Sequence, residues 1–291
     1  MSFSEITINE LWEAGVQFGH KASRWNPKMA PYIYGEKNGL HIIDLRQTLA
    51  LLKIAQKAIY KTVKENGRVL FVGTKVQGSS IVAEYAKKCG QYHISSRWLG
   101  GTLTNWSTVS KSIKELDKIE KTIEANVENP IYTKKEILNM ERKRQKLLAY
   151  LGGIRDMGGK PNLMVVLDTI KDSIAIEEAR KLNIPVIAIT DTNSNPDDIS
   201  YIIPGNDDAI KAIKLYCQAF ADSALAGLEE ALVASGVDVG AMTQNSESKF
   251  KDSRKVNRIK QSRKINPSGT GTVDEKTSQE FEKVLNQPVT K

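Results

Sequence analysis

Three short apolar runs constrain this chain most: GRVLFVG at 67–73, PNLMVVLD at 161–168 and IPVIAITD at 184–191. Runs this short, rich in β-branched residues and lacking polar alternation, suit strands covered on both faces, which calls for a parallel sheet between layers of helix. The segments between them agree. SSIVAEYAKKCG (79–90) and SIAIEEARKL (173–182) carry helical spacing, and the first stops at a glycine. YHIS (92–95) and SYIIP (200–204) read as two more short strands. DLRQTLALLKIAQKAIYKTVKEN (44–66) and NDDAIKAIKLYCQAFADSALAGLEEAL (206–232) read as amphipathic helices with acids at their starts. The expected fold is α/β, Rossmann-like or flavodoxin-like: a mostly parallel sheet with helices on both faces.

That rhythm breaks between residues 107 and 154, where strand signals vanish and Lys and Glu dominate. Val109, Ile113, Leu116, Ile119 and Ile123 follow a three-four spacing. So do Ile137, Met140, Leu147, Leu151 and Ile154, with Arg144 interrupting one heptad position. Asn129-Pro130 separates the two limbs. The spacing predicts an inserted antiparallel coiled-coil hairpin, each limb about 30 Å long for about 20 residues. The domain division that follows is a discontinuous globular part, 1–106 with 155–235, an inserted hairpin at 107–154 and a C-terminal extension at 236–291.

Just ahead of the hairpin stands SRWLGGTLTNW, 96–106. Its tryptophans either grip a large partner beside Arg97 or pack into the core where the arm leaves the sheet. Its place at the junction favours core packing for Trp98 and Trp106, with Arg97 turned toward a partner.

The formal charge of +8 points to an anionic partner, but its distribution matters more. Residues 241–291 hold eleven Lys/Arg against six Asp/Glu, and KFKDSRKVNRIKQSRK (249–264) holds eight against one. With no apolar periodicity beyond it, this reads as a disordered basic tail whose Lys249, Lys251, Arg254, Lys255 and Arg258 meet phosphates. No run approaches a membrane span, and the N-terminus lacks a signal-peptide layout, so a cytoplasmic location is expected. Cys89 and Cys217 show no metal or redox spacing and read as buried thiols.

Enzyme chemistry would lie at the carboxyl ends of the parallel strands, and its fingerprints are missing there. TKVQGSS after the first run fits neither a Walker loop nor a dinucleotide fingerprint, although Thr74, Lys75 and Ser79 are weak candidates for holding an anion at a helix start. DTNSNPDD (191–198) offers Asp191, Asp197 and Asp198 as a candidate loop for a structural Mg²⁺, without EF-hand spacing. His20, His41 and His93 show neither metal spacing nor a nucleophile partner. No catalytic residue, organic cofactor or small-molecule substrate is expected.

The N-terminal block FGHKASRWNPKMAPYIYGEKNGLHIIDL (18–45) interleaves Lys21, Arg24, Trp25 and Lys28 in an extended, Gly/Pro-broken segment, a pattern suited to RNA bases and phosphates. Together with FVGTK, SRWLGGTLTNW and its charged hairpin, PNLMVVLD and EEARKLNIPVIAITDTNSNPDDISYIIPGNDDA, it resembles the bacterial small-subunit ribosomal protein S2 family, collinearly across about residues 3–232. The resemblance implies a non-catalytic structural component seated on ribosomal RNA between head and body, beside neighbouring ribosomal proteins. It also implies a part in docking ribosomal protein S1. On the arm and its root, Arg97, Lys111, Arg142, Lys143 and Arg144 are the expected contacts. The residues alone leave open a nucleotide-binding enzyme or an adaptor acting through the hairpin.

Overall fold

The computed structural model describes residues 6–128 and 132–234, all within one compact unit spanning residues 1–237. The chain enters through α1 (Ile8–Glu13), whose first turn is closed by a reciprocal cap between Thr7 and Glu10. Strands β1 (Phe18–Lys21), β2 (Ile33–Lys37) and β3 (Leu40–Ile43) then form a small antiparallel sheet in the order β1-β3-β2. Asn38 and Gly39 both take positive φ, 54° and 76°. That is the backbone of a two-residue hairpin turn matched to strand twist, and Asn-Gly is the pair that adopts it most readily.

Helix α2 (Leu45–Lys64) follows, its start capped by the Asp44 carboxylate on the Arg46 N–H. The main sheet comes next, with β4 (Val69–Val72), helix α3 (Val76–Lys88) and β5 (Tyr92–Ile94). After helices α4 (Trp106–Glu128) and α5 (Lys134–Leu151) come β6 (Leu163–Val166), α6 (Ser173–Lys181), β7 (Val186–Thr190), β8 (Tyr201–Pro204) and α7 (Ile210–Ala234). The sheet order is β5-β4-β6-β7-β8, with every neighbouring pair parallel. This is the doubly wound arrangement expected from the apolar runs, with its order reversal between β4 and β6.

Alternation along these strands divides the core in two. Val69, Phe71, Leu163, Val165, Ile187 and Ile189 face α2, α3 and α7. Leu70, Val72, Met164, Val166, Val186 and Ala188 face α6 and the base of α4 and α5. The second core therefore seats the bases of α4 and α5 directly on the sheet. Helices α4 and α5 pack against each other, and the predicted apolar positions Ile113 and Leu116 are buried. The break at Asn129-Pro130 lies outside the described residues; α5 restarts with a reciprocal cap between Thr133 and Glu136. Both cysteines are buried free thiols, and burial pushes Cys89 up to about 11 and Cys217 up to about 12.

Candidate nucleic-acid interface

The arm's root is organised by one carboxylate. Glu178, near the end of α6, reaches under the 98–104 turn and accepts from the Trp98 indole N–H at 3.0 Å and the Gly101 N–H at 2.7 Å. Its other oxygen accepts from the N–H groups of Leu103 at 2.9 Å and Thr104 at 3.0 Å. Burial alone would raise its pKa, but these donors outweigh burial and hold it below the usual glutamate value. Trp98 is buried to 7% exposure and Trp106 is half-buried against the same core. Core packing is thus the role of this pair, and the positive φ of 86° at Gly101 lets the turn close over Glu178. Arg97, one residue before the buried indole, is exposed and has no ion pair among the described residues.

Along the arm, the expected contacts divide. Lys143 pairs with Glu115 of α4, and Arg144 pairs with Glu141 at 2.8 Å and reaches Glu120 at 3.7 Å. Lys143 thus pairs across the two helices, whereas the close pair of Arg144 lies within α5. Arg155 joins them, bound to Asp117 and, at 2.8 Å, to Glu120. Lys111 and Arg142 are exposed and have no ion pair among the described residues.

The N-terminal segment is tied down beside the loop that follows β7. The Asn26 N–H donates to the Thr192 carbonyl at 2.7 Å, and the His20 N–H donates to Thr192 Oγ1 at 2.9 Å. Lys21, Arg24 and Trp25 remain exposed, with the Trp25 ring edge-on to His41 at 5.2 Å between centroids. Lys28 differs, since its ammonium is bound to Asp197. The tail residues Lys249, Lys251, Arg254, Lys255 and Arg258 lie outside the described residues.

At the carboxyl ends of β4, β6, β7 and β8 the geometry overturns two sequence expectations. Lys75 does not face an anion: its ammonium lies 3.3 Å from Asp168, 3.0 Å from Asp207 and 2.6 Å from Asp208. Thr74 donates its hydroxyl to Asp172 at 2.8 Å, and Ser79 stands one turn into α3. Burial pulls the Lys75 ammonium down, but Asp208, Asp207 and Asp168 more than offset this and raise its pKa. A phosphate would meet carboxylates here.

The acidic loop is the second correction. Asp197 is neutralised by Lys28 and Asp198 by Arg180 at 2.7 Å, so those two do not converge with Asp191. The set that does converge is His20, Asp191, Asp207 and Asp208, whose donor atoms lie within 4.8 Å of one another. His20 Nδ1 is 2.9 Å from Asp191 and Nε2 is 3.6 Å from Asp208. The Asp191 hydrogen bond, opposed by burial, raises the His20 pKa. Burial first, then the charges of Asp168 and Asp191, push Asp207 up to about 7. The Tyr216 hydroxyl, fully buried beside Asp191 and Asp207, has no hydrogen-bond partner among the described residues. One imidazole and three carboxylates are the donor types a divalent cation takes, although Asp207 and Asp208 also hold the Lys75 ammonium here, and no spacing rule could have joined His20 to residues 171 or more positions away.

One more surface was not legible. Ile8, Trp12, Phe18, Tyr34 and Ile42 line an apolar cleft of about 610 Å³ beside the small sheet. Trp12 is 62% and Tyr34 74% exposed, an aromatic patch of the kind that protein partners cover.

The chain matches the model of the family described as Ribosomal protein S2 over residues 11–227. The chain belongs to the ribosomal protein S2 family. Among its relatives, the small ribosomal subunit protein uS2 of Rickettsia prowazekii (strain Madrid E) is 57% identical over 282 residues, 97% of this chain and 95% of that one. That of Rickettsia akari (strain Hartford) is 58% identical over 286 residues, 98% and 96% of the two chains. An S2 protein is a structural constituent of the small ribosomal subunit, active in translation without catalysing a reaction. The carboxylates that close off Lys75 accord with that role, because the place where an α/β sheet would hold a nucleotide is occupied by acids.

Proposed function

We propose that this S2-family chain binds small-subunit ribosomal RNA between head and body in the cytoplasm, recognising shape and phosphate positions rather than sequence. The globular part (1–106 with 155–235) supplies a rigid surface, the coiled-coil hairpin (107–154) acts as an arm, and the extension (236–291) adds non-specific affinity. The observation that carries this reading is the division of the basic residues. Lys143, Arg144 and Lys28 are spent on internal pairs, whereas Lys21, Arg24, Arg97, Lys111 and Arg142 are exposed without one among the described residues. Crosslinking on intact small subunits tests it. RNA crosslinks at those five positions are expected, and recovery of protein contacts alone would overturn the RNA-facing part. Deletion of 249–264 should reduce the fall in RNA affinity between 50 and 200 mM salt by roughly 50- to 150-fold, for about four phosphate contacts. An unchanged salt dependence would remove the tail from the interface.

Docking of ribosomal protein S1 is assigned to the apolar cleft around Trp12 and Tyr34, because large exposed aromatic side chains make effective anchors for a protein partner. Trp12→Glu should lower the S1 content of purified subunits while leaving the chain itself incorporated. Retention of S1 would move its docking elsewhere.

A structural divalent cation is proposed for His20, Asp191, Asp207 and Asp208 in place of the 191–198 loop. A mixed nitrogen and carboxylate set suits Zn²⁺ or Mn²⁺ better than Mg²⁺. Calorimetric titration of the full chain with each ion, beside Asp207→Asn, tests it; no ion binding tighter to the parent than to the variant would remove the site.

A further inference from the structure

Helix α4 sorts its charges by face. Three of its described acids, Glu115, Asp117 and Glu120, are paired with Lys143, Arg144 and Arg155, while Glu124 is exposed and has no ion pair among the described residues. Its apolar positions Ile113 and Leu116 are buried on the same side. What remains outward is a row of lysines, Lys111, Lys114, Lys118 and Lys121, spaced by three, four and three residues. At 100° per residue these four fall within an arc of about 80°, and they extend over about 15 Å of helix. All four are exposed, and none has an ion pair among the described residues.

Sequence alone obscures this row, because Lys and Glu alternate along the segment and read as a solvated surface. The structure pairs three of those acids with bases outside the row. Once Glu115, Asp117 and Glu120 are paired from α5 and the segment just after it, the exposed Glu124, three residues past Lys121, is the one described acid of α4 left without an ion pair, and the lysine face still carries four positive charges.

We propose that this face of α4 is a track for RNA phosphates, with Lys111, Lys114, Lys118 and Lys121 each meeting the backbone. The proposal rests on the RNA-binding reading given above and assigns it a second surface on the arm beyond Lys111. Adjacent lysines are separated by about 4.5–6 Å of helical rise, comparable to the step between neighbouring phosphates of one strand. Lysine suits such a track, since a compact ammonium on a flexible stem satisfies phosphates without reading bases. An acidic protein partner would also be attracted, but charges evenly spaced along a line match a polyanion backbone better than a folded protein's scattered acids.

The test compares the full-length chain with a quadruple variant, Lys111→Gln, Lys114→Gln, Lys118→Gln and Lys121→Gln, for binding to a transcript of the small-subunit ribosomal RNA across salt concentrations. Glutamine keeps the helix propensity, so an unchanged circular dichroism spectrum and Tm are expected. With four ammonium–phosphate pairs removed the salt dependence should flatten, making the affinity drop between 50 and 200 mM roughly 50- to 150-fold smaller than in the parent. An unchanged slope in a folded variant, with the parent binding normally, overturns the track and leaves the RNA-binding reading intact. A parent that does not bind the transcript or small subunits overturns the underlying reading itself. Loss of subunit co-sedimentation with an unchanged RNA slope assigns the row to a protein partner and overturns the track. The pair Lys53→Gln and Lys57→Gln on α2 serves as a positional control. A slope change from that pair equal to the change from Lys114→Gln with Lys118→Gln would show generic charge attraction and also overturn it.

Discussion

Trp98 and Glu178, 80 residues apart in sequence, are joined by a hydrogen bond of 3.0 Å from the indole nitrogen to the carboxylate. The same carboxylate gathers the N–H groups of Gly101, Leu103 and Thr104, so the turn before α4 is held against α6 by one side chain. The direction in which α4 starts depends on that fixture. Glu178→Ala removes the acceptor for five donors at once, the Thr104 hydroxyl included, and should destabilise the chain by about 3 kcal/mol, because buried donors left unpaired are costly. The urea midpoint measures this, and a loss below about 1 kcal/mol would show that water replaces the carboxylate.

Acid should act on the same point. The folded pKa of Glu178 lies below its unfolded value, so its contribution is present above the usual glutamate range and is lost as pH falls through the folded value. Tryptophan fluorescence should report loosening around Trp98 in acid before the rest of the chain unfolds. In Glu178→Gln that acid-sensitive phase should be absent. Its persistence would assign the change to another carboxylate.

The strands of the main sheet and the helices between them were legible because each follows a local rule, whereas α1 and the small β1–β3 sheet were not read as elements. Val69–Val72 and the first four residues of Val186–Thr190 are apolar without interruption because both faces are covered, and Asp44 marks the start of α2 by capping it. The site was legible only in part. Lys21, Arg24, Trp25, Arg97, Lys111 and Arg142 are exposed as their pattern suggested, but nothing local distinguishes Arg142 from Lys143, whose partner Glu115 lies 28 residues away on another helix. The His20 cluster and the Lys75 cluster were illegible for the same reason, since each joins residues from separate segments that meet only once the sheet is wound.

Lys75 is the sole ammonium bound among Asp168, Asp207 and Asp208 among the described residues. Lys75→Met leaves those carboxylates uncompensated and should cost about 3–5 kcal/mol, as removal of one member of a buried ionic group does. Adding Asp207→Asn should recover part of that loss, because it removes the most buried of the three charges. Thermal or urea unfolding of the two variants measures the difference. Equal stability of the single and double variants would mean that Asp207 is already uncharged in Lys75→Met.

Arg142 and Lys143 are adjacent bases on α5 with different commitments, which gives a comparison at nearly constant sequence position. Lys143 spends its charge on Glu115, an exposed pair contributing about 0–1 kcal/mol, so Lys143→Gln should lower stability slightly and leave the RNA salt slope unchanged. Arg142 has no such partner among the described residues, so Arg142→Gln should leave stability within about 0.5 kcal/mol. It should reduce the salt slope by roughly 0.7 to 0.9, the value of one phosphate contact. Binding to ribosomal RNA across a salt series, beside urea unfolding of both variants, reads the two quantities separately. If Lys143→Gln flattens the slope and Arg142→Gln does not, the pair with Glu115 yields to phosphate on the subunit, and internal pairing does not decide which arm residues face RNA.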